Sequence, residues 1–147
     1  MSTSGSDRNL GFAVRRAHRA FDRALQRQLA ARGLSTGYWY YLRALWEEDG
    51  LTQRQLSQRT GVAENTTTVT IAAMVRHGLV TRTRAHDDRR KWCIALTDQA
   101  RALRDELLPL AGAVNRQAAT GLTEEEQRIA LALLARMTAN LARDEED

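Results

Sequence analysis

Between Leu51 and Thr97 the apolar spacing of the chain changes period, and few folds accommodate that change. Thr52-Gln53-Arg54-Gln55 has the form of a capping box, in which a threonine hydroxyl and a glutamine amide satisfy free backbone groups at a helix start. It predicts a short helix that carries Leu56 inward and stops near Gly61, then a further helix from about Ala63 to His77 that closes at Gly78. After Gly78 the helical period is lost. Leu79 to Arg84 alternates Val, Thr and Arg, Ala85 to Arg90 is polar, and Lys91 to Leu96 places Trp92, Ile94 and Leu96 on one side at period two. Two strands around a charged turn make a β-hairpin.

The flanks are helical. Leu10, Val14, Ala17, Phe21 and Leu25 recur at helical spacing, and Gly33 ends that stretch. Ser35 or Thr36 can cap a second helix with Trp39, Leu42, Leu45 and Trp46 on one face, ended by Gly50. Thr97 caps a long helix bearing Leu103, Leu107, Leu110 and Val114, in which Pro109 predicts a kink. Gly121 breaks the chain, and Thr123 to Glu126 is a second capping box, opening a helix with Ile129, Leu133, Met137 and Leu141 on one stripe. The expected fold class is mainly α with a small β-hairpin (α+β). Residues 1–8 read as a flexible tail and 9–147 as a single domain.

Bulk properties narrow the function. The 147 residues are 43% hydrophobic, enough for one packed core. A net charge of +4 favours an anionic partner, most often nucleic acid. Nearly all of the positive charge is arginine, Lys91 being the only lysine. Cys93 stands alone, which excludes an internal disulfide, and His18, His77 and His86 show no metal-ligand spacing, so neither metal nor cofactor is expected. The start MSTSGSDRNL lacks the apolar run of a signal peptide, and no stretch approaches a membrane span; the expectation is a soluble, cytoplasmic protein. No nucleophile–base pair or glycine-rich phosphate loop appears, so an enzyme is not expected.

Leu51 to Gly78 therefore reads as a helix-turn-helix, a unit that lays its second helix in the DNA major groove. On that helix Glu64, Asn65, Thr68, Val69 and Ala72 are expected to project away from the buried set Val62, Ile71 and Met74. The hairpin tip, His86-Asp87-Asp88-Arg89-Arg90-Lys91, holds three cations after two carboxylates, and an arginine-bearing wing enters a minor groove. Asp88 is placed to hold the Arg90 guanidinium extended. Phosphate contacts are expected from Gln53, Arg54, Thr66, Arg82, Arg84, Arg89 and Lys91. With Asn65, Thr66, Thr68 and Val69 as readers, adenine edges and thymine methyls are favoured.

Five of the eight aromatic residues lie between 38 and 46: Tyr38, Trp39, Tyr40, Tyr41 and Trp46. Four consecutive helical residues cannot all face one core. A pocket lined by Tyr38, Trp39, Tyr41 and Trp46 suits an aromatic ligand, with Arg15, His18 and Arg43 placed to hold a carboxylate or phosphate; the alternative is that the tryptophans are core and the tyrosines sit at a dimer seam. Cys93 near Arg90 and Lys91 raises a redox-sensing alternative, against the plainer reading of an inert thiol.

The segment LTQRQLSQRTGVAENTTTVTIAAMVRHGLVTRTRAHDDRRKWCIALT resembles the core of the MarR family of bacterial regulators, through Leu51-Thr52, Gln55-Leu56, Gly61-Val62, Thr66, Gly78-Leu79-Val80, Asp87-Asp88-Arg89-Arg90 and Leu96-Thr97. The resemblance implies a winged helix-turn-helix over about 35–97. It implies a homodimer built from N- and C-terminal helices, about 9–32 and 98–143, and a small-molecule pocket between those helices and the DNA-binding lobe. It implies a transcriptional regulator on a pseudo-palindromic double-stranded DNA operator, here expected to be a repressor released by an aromatic acid or its coenzyme A thioester (acyl-CoA). Two positions depart from the family pattern: Ala63, where a serine is common, and Val69, where an arginine is common. A non-specific architectural DNA-binding protein is the competing expectation.

Overall fold

A computed structural model describes residues 8–143. Residues 1–7 of the expected tail lie outside the described residues. Six helices and three strands follow in the order α1 (Leu10–Ala30), α2 (Thr36–Glu47), β1 (Leu51–Thr52), α3 (Gln53–Thr60), α4 (Glu64–Arg76), β2 (Val80–Arg84), β3 (Trp92–Leu96), α5 (Asp98–Ala118) and α6 (Glu124–Ala142). The chain divides into two compact units between Val114 and Asn115.

In the first unit, α1 starts at Asn9, whose side chain accepts from the Phe12 amide at 3.0 Å. Only Leu25 and Leu29 of this helix are buried, so the apolar stripe at Leu10, Val14 and Phe21 stands exposed. Ser35 occupies the N-cap of α2 but makes no capping bond. Gln26 of α1 supplies the cap instead. Its Oε1 accepts from the Thr36 amide at 3.0 Å, and its Nε2 donates to the Leu34 carbonyl at 3.3 Å.

The Thr52–Gln55 capping box is complete: the Gln55 amide donates to Thr52 Oγ1 at 3.1 Å, and the Thr52 amide donates to Gln55 Oε1 at 2.9 Å. Gly61 ends α3 at φ 69°, a left-handed conformation that costs glycine little, and the chain re-enters a helix three residues later. Thr97 serves two elements at once. Its hydroxyl accepts from the Ala100 amide at 3.2 Å, capping α5, and donates to the Gly78 carbonyl at 2.7 Å.

The hairpin is part of a larger sheet than expected. β2 pairs with β3 in antiparallel register, Val80 opposite Leu96 and Arg84 opposite Trp92, and β1 adds a third strand, Leu51 opposite Ile94 and Thr52 opposite Cys93. Asp49 secures this corner: its Oδ1 accepts from the Leu96 amide at 2.9 Å and its Oδ2 pairs with Arg101 at 3.2 Å.

One core joins α2, α3, α4, the sheet and the start of α5 through Leu42, Leu45, Leu56, Ile71, Met74 and Ile94. Inside it lie three hydroxyls. Ser57 donates to Thr67 Oγ1 at 2.8 Å, and the Tyr41 hydroxyl bonds the same oxygen at 2.9 Å. A second core gathers Leu25, Leu29, Trp39, Leu107 and Val114. α5 runs on through Pro109 as one helix.

In the second unit, Gly121 at φ 81° turns the chain into α6, whose Thr123–Glu126 capping box is also complete. No residue of α6 is buried, and Leu131 and Leu141 are 70% and 72% exposed. Among the described residues no helix is long and apolar enough to cross a membrane.

Candidate nucleic-acid interface

The start of α4 is held by packing beneath and left open above. Thr67, Ile71 and Met74 are buried, while Glu64, Asn65, Thr66, Thr68 and Val69 are exposed, Val69 to 71%. Val62 and Ala72 are half-buried. Ala63 stands at the N-cap and has no side chain with which to cap, so the first amides of α4 keep their donor capacity. Such amides, together with the positive end of the helix dipole, suit an anion. Glu64 in the first turn is the one acidic group there. The Thr68 hydroxyl is engaged twice, donating to the Glu64 carbonyl at 3.0 Å and accepting from Gln53 Nε2 at 3.2 Å. Its methyl is what remains to offer a ligand.

The wing closes the other side. Its tip folds on itself through Ala85 N–H to Lys91 O at 2.9 Å and Lys91 N–H to Asp88 O at 3.0 Å. Asp88 Oδ1 accepts from the Arg90 amide at 3.0 Å and from Arg90 Nε at 3.1 Å. These bonds hold the Asp88 carboxyl below its ordinary range, so it is ionised at neutral pH. The Arg90 side chain is still 91% exposed. Arg89 and Lys91 are exposed as well. Between wing and helices lies an open concavity of about 610 Å3, lined among others by Gln53, Arg54, Glu64, Thr68, Arg90 and Trp92. Arg82 and Arg84 lie over the Trp92 ring.

The seven residues expected around a small molecule are not gathered into one pocket. Trp39 and Tyr41 are 3% and 2% exposed and belong to the two cores. Trp46 packs edge-on against Trp39 with centroids 5.7 Å apart, and its Nε1 donates to the Ala100 carbonyl at 3.0 Å. These three indole and phenol groups are thus used internally in this conformation. Tyr38 bonds His77 Nδ1 at 2.8 Å beside a 220 Å3 cavity that also takes in Arg32 and Gln99. Arg43 faces a cavity of about 490 Å3 with Tyr40, Glu47 and Arg59. His18 pairs with Asp22 at 3.3 Å, and Asp22 also accepts from the Tyr40 hydroxyl at 2.6 Å. Burial, then the bond to Asp22, pushes the Tyr40 hydroxyl well above its ordinary range, so it stays a donor. Arg15 lies in an exposed groove on α1 with Phe12, Arg16, Arg19 and Arg23.

A MarR family profile matches residues 34–92, the stretch that builds the concavity. The chain is 35% identical over 135 residues to the HTH-type transcriptional regulator TtmR of Methylorubrum extorquens, covering 92% of this chain and 68% of that one. The chain belongs to the MarR family. It is therefore a winged-helix transcriptional regulator that binds DNA, and not an enzyme. A MarR regulator from Silicibacter pomeroyi superposes with a TM-score of 0.78 at 28% identity, with 92% of each chain covered. The structure describing regulation of DNA binding of Bordetella bronchiseptica BpsR by 6-hydroxynicotinic acid has the same fold: TM-score 0.84, 23% identity, 94% of this chain and 98% of that one.

Several residues of this MarR regulator's surface escaped the sequence reading. Trp92 shares one side of β3 with Ile94 and Leu96 at period two, yet it lines the concavity. Centring the hairpin on the polar tip places residue 84 within one position of Trp92, and the register of the strands makes the two direct partners. Tyr40, Asp22, Arg59 and His77 line or brace the cavities through contacts far apart in sequence, which no local pattern announces. Cys93 is half-buried on β3, opposite Thr52 on one side and Thr83 on the other.

Proposed function

We propose that this regulator works as a homodimer on a pseudo-palindromic double-stranded DNA operator and is a repressor released by a small aromatic acid or its acyl-CoA thioester. One observation carries the DNA part: the exposed start of α4 and the cationic wing face a single concavity of about 610 Å3. A recognition helix in the major groove and a wing on the neighbouring minor groove would straddle one phosphate strand there. Asn65, the Thr66 and Thr68 methyls and Val69 favour adenine edges and thymine methyls. Gln53, Arg54, Arg82, Arg84, Arg89, Arg90 and Lys91 supply phosphate and minor-groove contacts that set position. Two-fold pairing then places half-sites about one helical turn apart.

The dimer is supported by apolar faces that stand exposed on α1 and α6 among the described residues: Leu10, Val14 and Phe21 on one, Leu131, Leu134 and Leu141 on the other. The effector part is supported by the cavity at Arg43 and Arg59, whose guanidiniums suit a ligand carboxylate in exchange for Glu47 and Glu48. It draws as well on BpsR, whose DNA binding is regulated by an aromatic acid. A protein of this kind would act in the cytoplasm, where the DNA is.

Selection of bound duplexes from a random pool, with and without 6-hydroxynicotinic acid and other aromatic acids, tests the reading. The expected yield is an A·T-leaning inverted repeat that is lost when an effector is added. Invariant guanines under α4, or a footprint spread along DNA without a repeat, would contradict it.

A further inference from the structure

Two cations of the wing are held by an aromatic ring where a third is held by a carboxylate. Arg84 is directly opposite Trp92 in the β2–β3 register, and Arg82 lies two residues further along the same face. Their guanidinium carbons sit 3.8 and 4.3 Å from the Trp92 ring centroid. Among the described residues neither arginine forms an ion pair, whereas Arg90 is bound to Asp88.

The difference matters chemically. A carboxylate orders a guanidinium by occupying its N–H edge and offsetting its charge. An indole orders it by its flat face, leaving the charge whole and the N–H edge free to meet a phosphate. The indole lines the same concavity as Gln53 and Thr68, and Arg82 and Arg84 stack on that indole.

We propose that Trp92 is a positioning residue for DNA binding: it orders Arg82 and Arg84 over its ring so that both reach backbone phosphates already immobilised. The inference rests on the reading that the concavity receives DNA. Side-chain freedom otherwise has to be lost on binding, and stacking in the free protein removes part of that cost.

The test uses fluorescence anisotropy of the full chain with a labelled random-sequence duplex and with the selected duplex, over a range of potassium chloride. Trp92→Leu is expected to weaken binding about five- to thirty-fold, because two arginine side chains then have to be ordered on binding, with the slope of log affinity against log salt unchanged. Trp92→Phe, which keeps a ring, should recover most of the loss. Arg82→Ala with Arg84→Ala should lower the salt slope by about two, and adding Trp92→Leu to that pair should change affinity little. If Trp92→Leu costs the same with or without the arginines, or if Phe does not rescue, the ring acts through hairpin packing and the inference fails while the DNA reading stands. If the paired arginine variant keeps wild-type affinity and salt slope, both fail at this part of the wing.

Discussion

Thr67 is a polar residue with no exposed surface, bonded to Tyr41 of α2 and to Ser57 of α3. Its oxygen fixes the start of α4 relative to two other helices more narrowly than apolar packing does, because hydrogen bonds have directions. Thr67→Val keeps the volume but strands two buried hydroxyls. It is expected to cost about 2–4 kcal/mol in denaturant unfolding, against about 1 kcal/mol for Tyr41→Phe, which removes a partner and strands less. Equal costs would mean that the three hydroxyls do not act as a set. On the outer surface, Arg90→Ala should weaken DNA binding across all sequences and lower the salt slope by about one. An unchanged slope in a salt titration would place Arg90 away from the phosphates.

Among the elements, α6 owes its start to a local device that can be titrated. The Glu126 carboxylate accepts from the Thr123 amide at 3.0 Å, and that bond holds its pKa below the ordinary value of 4.5. A carboxylate depressed in the folded state contributes stability that is complete above its unfolded value and is lost as pH falls through the folded one. Helicity at Glu126 should therefore hold at pH 6 and decline below about 4.5, followed by circular dichroism. Glu126→Gln keeps an acceptor for the cap and should remove this residue's share of the pH dependence. Both capping boxes were legible in the sequence because everything they need lies within four consecutive residues. The helix-ending glycines and the hairpin were legible for the same reason. β1 was not, since two residues carry no period. The cap of α2 was not, since Gln26 lies ten positions from the amide that it serves. The aromatic run showed that residues 38–41 must diverge, but which of them turns inward depends on partners such as Thr67 and Leu107. Trp39 and Tyr41 went to the cores, and Tyr38 and Tyr40 to the cavity walls.

For the whole molecule, the uncovered apolar faces of α1 and α6 tie folding to assembly. If a second copy covers them, unfolding and dissociation are one event, and the melting temperature should rise with protein concentration. Scanning calorimetry over a hundredfold range of concentration checks this; a constant midpoint would show that the monomer stands alone. A helix with no buried residue of its own also has a consequence for supply. Newly made chains would remain only partly finished until they meet one another. The switch would then respond to how many copies a cell keeps as well as to any effector. A drop in expression would free the operator twice over, by thinning the pairs and by exposing the leftover singles to proteolysis.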